Sequence, residues 1–335
     1  MKSRKKILVI TPSWIGDLII SQSFFKQLKL QNQNSTIDVV IRSNLITIAG
    51  MMPEIDKKFI LDVSHGSLGF IKRYRLSKKL KKYSYNEAYI LTNSFKSAII
   101  PWLASIPIRI GYLGEMRYGL INKIFSEKKF ELPMVNRFLK LIDSVYQEDS
   151  APKLKLDTVK HQEINQKFKI NKNDKNVFLC PDAEYGEAKR WPIKKWCELA
   201  NKLNEMKYKI YFLGKCDRIN PHINDISSKS HSIVSLINKT TVEEATYLLA
   251  SSSLVISNDS GLMHIASSVN TKVIAIFGSS SPKYTPPLSK EGYSKIAYSN
   301  LSCSPCFQRT CPLGHLNCLN SISTEEILMK ADNFL

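Results

Sequence analysis

Ser257-Asn258-Asp259-Ser260-Gly261-Leu262-Met263-His264 follows the apolar run Leu254-Val255-Ile256 and precedes Ile265-Ala266. The pattern reads as a strand, a tight polar turn and the start of a helix. Backbone N–H groups at Ser260 and Gly261 fall where a new helix has no internal partners for them, and that end carries partial positive charge. Such a turn can seat an anion. Gly261 is its only glycine, which excludes a dinucleotide fingerprint and a P-loop, since both need several glycines at fixed spacing. Strand-turn-helix punctuation also occurs with no ligand, so the neighbouring segments decide its meaning.

Those neighbours repeat the rhythm. Further strands are expected at 177–180, 209–213, 232–235 and 273–277, with helical patterns between them, which implies a parallel sheet covered by helices. After the first of these runs comes a long loop ending Lys189-Arg190-Trp191-Pro192. Two cations just before a helix suit a diphosphate; the alternative is an exposed basic loop in which Trp191 packs as a staple. Gly214-Lys215-Cys216-Asp217 and Gly278-Ser279-Ser280-Ser281-Pro282 leave strand ends in the same way. All these loops should line one wall of an interdomain cleft.

The first half has the same alternation, with strands expected at 6–10, 37–41, 58–61, 87–91 and 108–112. Thr11-Pro12-Ser13-Trp14-Ile15-Gly16-Asp17 is read as a loop entering a helix near Leu18. That puts Asp17 at a helix N-terminus on the strand edge where open α/β sheets bind ligands. Asp17 serves there either as a plain helix cap or, with Ser13 and the indole of Trp14 beside it, as a functional group. Asn93-Ser94-Phe95-Lys96-Ser97 and Gly114-Glu115-Met116-Arg117-Tyr118-Gly119 also follow strand ends, so Lys96 and Arg117 are expected on the rim of Asp17. Between strands, 71–82 sets Ile71, Leu76 and Leu80 on one helical face against a basic remainder that includes Arg73 and Lys79. This is either a solvated face or a contact surface for phosphate-bearing lipid.

From 148 to about 175 the chain turns polar, with breaks at 149–152 and 171–174, and this is the expected domain boundary. Two domains, 1–155 and 156–335, fit the length of 335 residues. With 43% hydrophobic and 23% charged residues, the composition excludes a disordered chain. The net charge of +19 favours anionic partners, or else reflects a composition rich in lysine, isoleucine and asparagine. Met1-Lys2-Ser3-Arg4-Lys5-Lys6 before an apolar run resembles a signal peptide, but Pro12, Gly16 and Asp17 break it and no cleavage site follows, so it reads as a first strand. The apolar stretch 97–112 is interrupted by Pro101, Pro107 and Arg109, too short and broken to span a bilayer. A cytosolic or peripheral protein is expected. Basic residues are not interleaved with aromatic platforms, which argues against a nucleic-acid binder.

Seven cysteines are unevenly placed. Cys180, Cys197 and Cys216 lie singly in apolar segments and read as core. Cys303, Cys306, Cys311 and Cys318 crowd the segment 303–318 with His315 among them. The C-x2-C opening suggests a metal, yet the later spacing is not that of the common zinc modules. A structural zinc, reduced thiols in a packed loop and a disulfide all remain open, the last disfavoured in a reducing compartment.

Six segments together resemble one family: Pro12-Ser13-Trp14-Ile15-Gly16-Asp17, Asn93-Ser94-Phe95-Lys96-Ser97, Gly114-Glu115-Met116-Arg117-Tyr118-Gly119-Leu120, Ala188-Lys189-Arg190-Trp191-Pro192, Asn258-Asp259-Ser260-Gly261-Leu262-Met263-His264 and Thr285-Pro286-Pro287-Leu288. In this order they are similar to the ADP-heptose:lipopolysaccharide heptosyltransferases of glycosyltransferase family 9, most closely the members that extend the inner core beyond its first heptose. The resemblance implies a GT-B fold, two Rossmann-like domains whose parallel sheets face an interdomain cleft. It further implies an inverting transfer that needs no metal or other cofactor. Asp17 would be the general base and Lys189 would stabilise the ADP leaving group, helped by Ser260 and Gly261. Asp259 would hold the donor heptose, with Glu184, Asp217, Leu262 and His264 around the donor; a length difference near Asp217 sets that residue apart. Ser13, Trp14, Arg73, Lys96 and Arg117 would face the acceptor, a lipid A-Kdo-heptose glycolipid. ADP-heptose and an anionic inner-membrane surface, approached from the cytoplasmic face, are then the expected partners. Acceptor binding falls to the first domain and nucleotide-sugar binding to the second.

Overall fold

The computed structural model describes residues 4–64, 66–126, 131–171, 174–217, 220–332 and 334. Met1, Lys2 and Ser3 of the basic leader and Lys172 and Asn173 of the second expected break lie outside the described residues. The chain divides into two units, Met1–Pro152 and Lys153–Leu335.

In the first unit, β1 (Lys6–Ile10), β2 (Thr36–Ile41), β3 (Lys58–Ile60), β4 (Glu87–Ile90), β5 (Ile108–Tyr112) and β6 (Lys123–Phe125) form one sheet in the order β3-β2-β1-β4-β5-β6. Every pairing is parallel, with Ile7 opposite Ile37 on one side and Glu87 on the other. Ile7, Leu8 and Val9 are wholly buried, as expected when helices cover both faces of a parallel sheet. Leu8, Ile10, Val40, Ala88 and Ile90 share a core with Leu80, Ala98 and Ile100 from the flanking helices.

The second unit repeats this plan. Its strands are β7 (Asn176–Cys180), β8 (Lys209–Phe212), β9 (Ile233–Ser235), β10 (Leu254–Asn258), β11 (Val273–Phe277) and β12 (Ser294–Tyr298), in the order β12-β11-β10-β7-β8-β9. All are parallel. The helix Ile193–Glu205 buries Trp196, Leu199, Ala200 and Leu203, a stripe at helical spacing that packs on Val177, Ile210 and Ile256. Each of the two leucines contributes about 1.5–3 kcal/mol on burial.

In both sheets the strand order reverses beside the first strand, between β1 and β4 and again between β7 and β10. Open α/β sheets bind ligands beyond the carboxyl ends of the strands at such a reversal. The loops after β1, β4, β7 and β10 carry most of the residues singled out from the sequence.

The helix Phe70–Lys81 differs from its sequence reading. It buries Arg73, Ser77 and Leu80, while Ile71 is two-thirds exposed. Arg73 donates from Nε to the Leu68 carbonyl (2.7 Å), and Ser77 Oγ donates to Arg73 O (2.8 Å) and Ile100 O (3.1 Å). Hydrogen bonding offsets the desolvation of these polar groups and lets them pack inward. No described helix is long and apolar enough to cross a membrane.

Candidate active site

In the second unit, β10 ends at Asn258 and the helix Gly261–Ser268 starts three residues later. Asn258 is fully buried, and its side chain ties two loops together. Its Nδ2 donates to Pro181 O (2.7 Å), and its Oδ1 accepts from the Trp191 backbone N–H (3.1 Å). Trp191 is buried edge-on against Trp196 and donates from Nε1 to Ile322 O (3.1 Å). Trp191 thus packs as a staple, but the loop before it is not an exposed basic one, since Lys189 and Arg190 are both partly buried; the anchoring sets the course of that segment.

Lys189 ends a short turn of 3-10 helix, Glu187–Lys189, and its Nζ pairs with Asp259 Oδ2. Ser280, in the loop after β11, donates from Oγ to the same carboxylate oxygen. His264 Nε2 stands 4.0 Å from Asp259 Oδ1. Complete burial pushes the His264 pKa down to about 4; the Asp259 carboxylate opposes this and the Lys189 ammonium adds to it. His264 is thus neutral near pH 7. Ser260 is the N-cap of the helix with no side-chain cap bond, and its Oγ lies 3.3 Å from Ser257 Oγ. Cation, carboxylate, hydroxyl and helix start converge at the sheet's reversal point, an arrangement suited to holding an anionic diphosphate and a polyhydroxylated sugar.

Tyr185 lies beneath the lysine, with Lys189 Nζ and the Arg309 guanidinium each 5.0 Å from its ring centre. Arg309, hidden in sequence within the cysteine-rich segment, joins the candidate site through Tyr185. In sequence Ser280 stands out only as part of the loop 278–282. Tyr185 donates its hydroxyl to Phe307 O (2.7 Å), and the Ala188 N–H bonds Arg309 O (3.1 Å). A Cβ on Gly186 would lie 2.3 Å from Arg309 O, so only glycine permits this close approach. Glu184 is exposed on the same loop. Asp217 follows β8, and its Oδ1 accepts from Asn238 Nδ2 (2.7 Å).

In the first unit, the helix after β1 spans Ile15–Ile20, three residues earlier than expected, with Trp14 as its N-cap. Asp17 is therefore inside the first turn and is not the capping residue. Ser13 is exposed, Asp17 is half-buried, and Trp14 shows 40% of its surface. After β4, Lys96 lies in the first turn of the helix Phe95–Leu103 and donates to Ser67 O (3.2 Å).

Arg117 overturns its sequence reading. It is wholly buried and donates to Thr92 O (2.7 Å), Ser94 O (3.4 Å), Ser97 Oγ (3.1 Å), Leu113 O (3.3 Å) and Tyr112 O. The fork of its guanidinium joins the loop after β4 to the loop after β5, so it braces the rim and does not present a charge there. Arg73 is likewise a bracing residue.

Cys303, Cys306, Cys311, Cys318 and His315 border one small cavity. All four cysteines are unpaired thiols. Burial pushes the Cys318 thiol up, and nearby Cys306, Cys311 and Cys303 push it further. Hydrogen bonding from the backbone N–H groups of Leu316, Leu313, Gly314 and His315 holds the Cys311 pKa below the usual thiol value. Among the described residues, no group of three or more His, Cys, Asp or Glu side chains is placed to hold a metal ion.

Two Rossmann-like units, with a cation and a helix start facing one carboxylate at a sheet reversal, define a glycosyltransferase of the GT-B class. The sequence profile of "Glycosyltransferase family 9 (heptosyltransferase)" matches residues 73–317, and the chain belongs to that family. It is 38% identical over 298 residues to "Lipooligosaccharide heptosyltransferase 2" of Haemophilus influenzae, covering 84% of this chain and 86% of that one. It is 33% identical over 313 residues to "Lipopolysaccharide heptosyltransferase 2" of Escherichia coli, covering 87% and 90%. The solved structure of E. coli ADP-heptose lps heptosyltransferase II superposes with a TM-score of 0.82 at 30% identity, covering 98% of both chains.

Proposed function

We propose that this chain is an inverting transferase that moves heptose from ADP-L-glycero-D-manno-heptose to the first heptose of the lipopolysaccharide inner core. The observation that carries the reading is the cluster of Lys189, Asp259, Ser280 and the helix start at Ser260 and Gly261, in a chain whose relatives are named for this transfer.

In this reading the diphosphate meets Lys189 Nζ and the N–H groups at Gly261, which stabilise the charge that grows as the glycosidic bond to ADP breaks. Lys189 and the helix start supply the positive charge at the leaving group, so the transfer runs without a metal. Asp259 and Ser280 accept and donate hydrogen bonds to the heptose hydroxyls. Asp17 takes the proton from the acceptor hydroxyl as it attacks the anomeric carbon. Ser13, Trp14 and Lys96 form the acceptor rim, and Glu184 and Leu262 border the donor.

The acceptor is a glycolipid, which places the enzyme peripherally on the cytoplasmic face of the inner membrane. The helix Phe70–Lys81 supports this. Within 66–86 the chain has seven Lys and Arg residues and no Asp or Glu. Six of those cations are exposed, next to exposed Phe70, Ile71 and Tyr74. A basic surface with aromatic and aliphatic side chains suits an anionic bilayer.

Transfer from ADP-heptose is measured onto two truncated acceptors, one ending in Kdo and one carrying a single heptose. Product only on the second is expected. Product only on the first assigns the chain to the preceding transfer, and ADP-heptose turnover with neither acceptor present replaces the transfer with a GT-B epimerase reaction.

A further inference from the structure

Both cations of the loop between β7 and the helix Ile193–Glu205 are already neutralised by carboxylates. Lys189 Nζ pairs with Asp259 Oδ2, while Arg190 Nε stands 2.9 Å from Asp182 Oδ1 and donates to Ala183 O (3.1 Å). A diphosphate that met only these pairs and the helix start at Gly261 would bring several negative charges to a cluster whose own charges nearly cancel. Withdrawing such charge from water is costly unless it is paired.

Arg309 supplies a cation that is not cancelled. Its side chain is exposed, and its guanidinium makes no hydrogen bond or ion pair among the described residues. The guanidinium rests over the Tyr185 ring, 5.0 Å from its centre, and Lys189 Nζ lies at the same distance from that centre. One tyrosine ring thus carries both cations.

The backbone that presents Arg309 is fixed from several sides. Arg309 O accepts the Ala188 N–H (3.1 Å), and Phe307 O accepts the Tyr185 hydroxyl (2.7 Å). The Phe307 N–H bonds Ser279 O (2.7 Å), and the Ser279 N–H bonds Ala188 O (3.0 Å). Phe307 is held at a φ of 54°, which costs a side-chain-bearing residue energy and persists only where the surroundings enforce it. A Cβ on Gly278 would lie 2.6 Å from Ala188 O, so the segments approach there as closely as at Gly186. An arginine that serves only as surface charge requires no such anchoring, whereas one that grips a ligand gains from a fixed base.

We propose that the Arg309 guanidinium binds the donor diphosphate beside Lys189 and selects a nucleoside diphosphate over an unphosphorylated nucleoside. This assignment rests on the transferase reading given above. A guanidinium offers two parallel N–H groups to the oxygens of one phosphoryl group, which an ammonium cannot do. Its uncancelled charge attracts the donor before contact. Once bound, it meets the charge that collects on ADP as the bond to the anomeric carbon breaks. The electron pair of that bond leaves with the ADP oxygen, and Arg309 stays protonated throughout.

Calorimetric titration of the full-length chain with ADP and with adenosine tests this, at about 50 mM and about 300 mM salt. The proteins compared are wild type, Arg309→Gln, Arg309→Lys and Lys229→Gln, the last removing an exposed cation on the helix Asn220–Lys229. Arg309→Gln should lose at least about tenfold in ADP affinity and respond less to salt. Arg309→Lys should recover part of the loss, and Lys229→Gln should match wild type. Adenosine should not distinguish the proteins, and their melting temperatures should agree, because the anchoring runs through backbone groups. ADP affinity unchanged in Arg309→Gln overturns the proposal and leaves the transferase reading standing. Equal losses for ADP and adenosine also overturn it, by making Arg309 a brace of the loop. Wild type that binds no ADP overturns the donor reading and the proposal together.

Discussion

Lys189 and Asp259, seventy residues apart, close an ion pair that is almost entirely withdrawn from solvent, with the aspartate side chain 4% exposed and the lysine 17%. A buried pair contributes little net stability against its desolvation, but removing one partner leaves the other uncompensated. Lys189→Met is expected to cost about 3 kcal/mol of stability and to slow turnover by on the order of 10² to 10³. The double variant Lys189→Met, Asp259→Asn should regain most of the stability and none of the activity. Denaturant midpoints and single-turnover rates on the set of variants check this, and recovery of both properties together would remove the pair from the chemistry.

Asp17 tests the other half of the reaction. Asp17→Asn keeps size and first-turn position while removing the basic oxygen. Turnover should fall by on the order of 10² to 10⁴ with ADP-heptose affinity within about twofold of the parent, because no donor group is altered. Near-normal turnover excludes this carboxylate as the base.

His264 couples folding to pH. Its pKa is about 4 in the folded chain, against 6.5 for an ordinary histidine. Between these values only the unfolded chain binds the proton, so stability rises with pH across that window and is lost as pH falls from about 6.5 to about 4. At about 1.4 kcal/mol per pKa unit the full effect is on the order of 3 kcal/mol. The denaturant midpoint of wild type should drop more steeply than that of His264→Gln between about pH 7 and about pH 4.5. Parallel curves would assign the acid sensitivity to other groups.

Arg117 and Lys96 were alike in the sequence and should diverge as variants. Arg117→Met strips donors from several buried carbonyls and should lower stability by at least about 3 kcal/mol. Lys96→Ala should leave the melting temperature nearly unchanged and raise KM for the glycolipid acceptor. The reverse pattern would return Arg117 to the rim.

The exposed cations of the helix Phe70–Lys81 predict sedimentation with anionic vesicles that weakens between about 50 mM and about 500 mM salt. Ile71→Ser should weaken it further, since that side chain is 66% exposed. Binding that ignores both salt and this substitution would locate the contact elsewhere.

The sheets were legible wherever a strand is buried on both faces, because continuous β-branched runs such as Ile7-Leu8-Val9-Ile10 have few other uses. The two strands without such a run, β6 and β12, are edge strands. Lys123–Phe125 has no buried residue and Ser294–Tyr298 buries only Ala297, so neither carries a strong apolar signal. Motifs located the turns of the candidate site but not the direction of a long side chain. Arg73 and Arg117 look like surface cations until the carbonyls that receive them are seen, and those come from residues as far as 25 positions away. The partnership of Lys189 with Asp259 and Ser280 is hidden for the same reason: it joins loops from three strands that become neighbours only when the sheet forms. Arg309 was obscured by the cysteines around it.

The same strand order occurs twice in this chain, each time around a separate core. On the proposed division of labour, donor recognition is written in one repeat and acceptor recognition in the other. The chain passes from one repeat to the other once, between residues 152 and 153, so a substitution that retunes one recognition surface leaves the core beneath the other untouched.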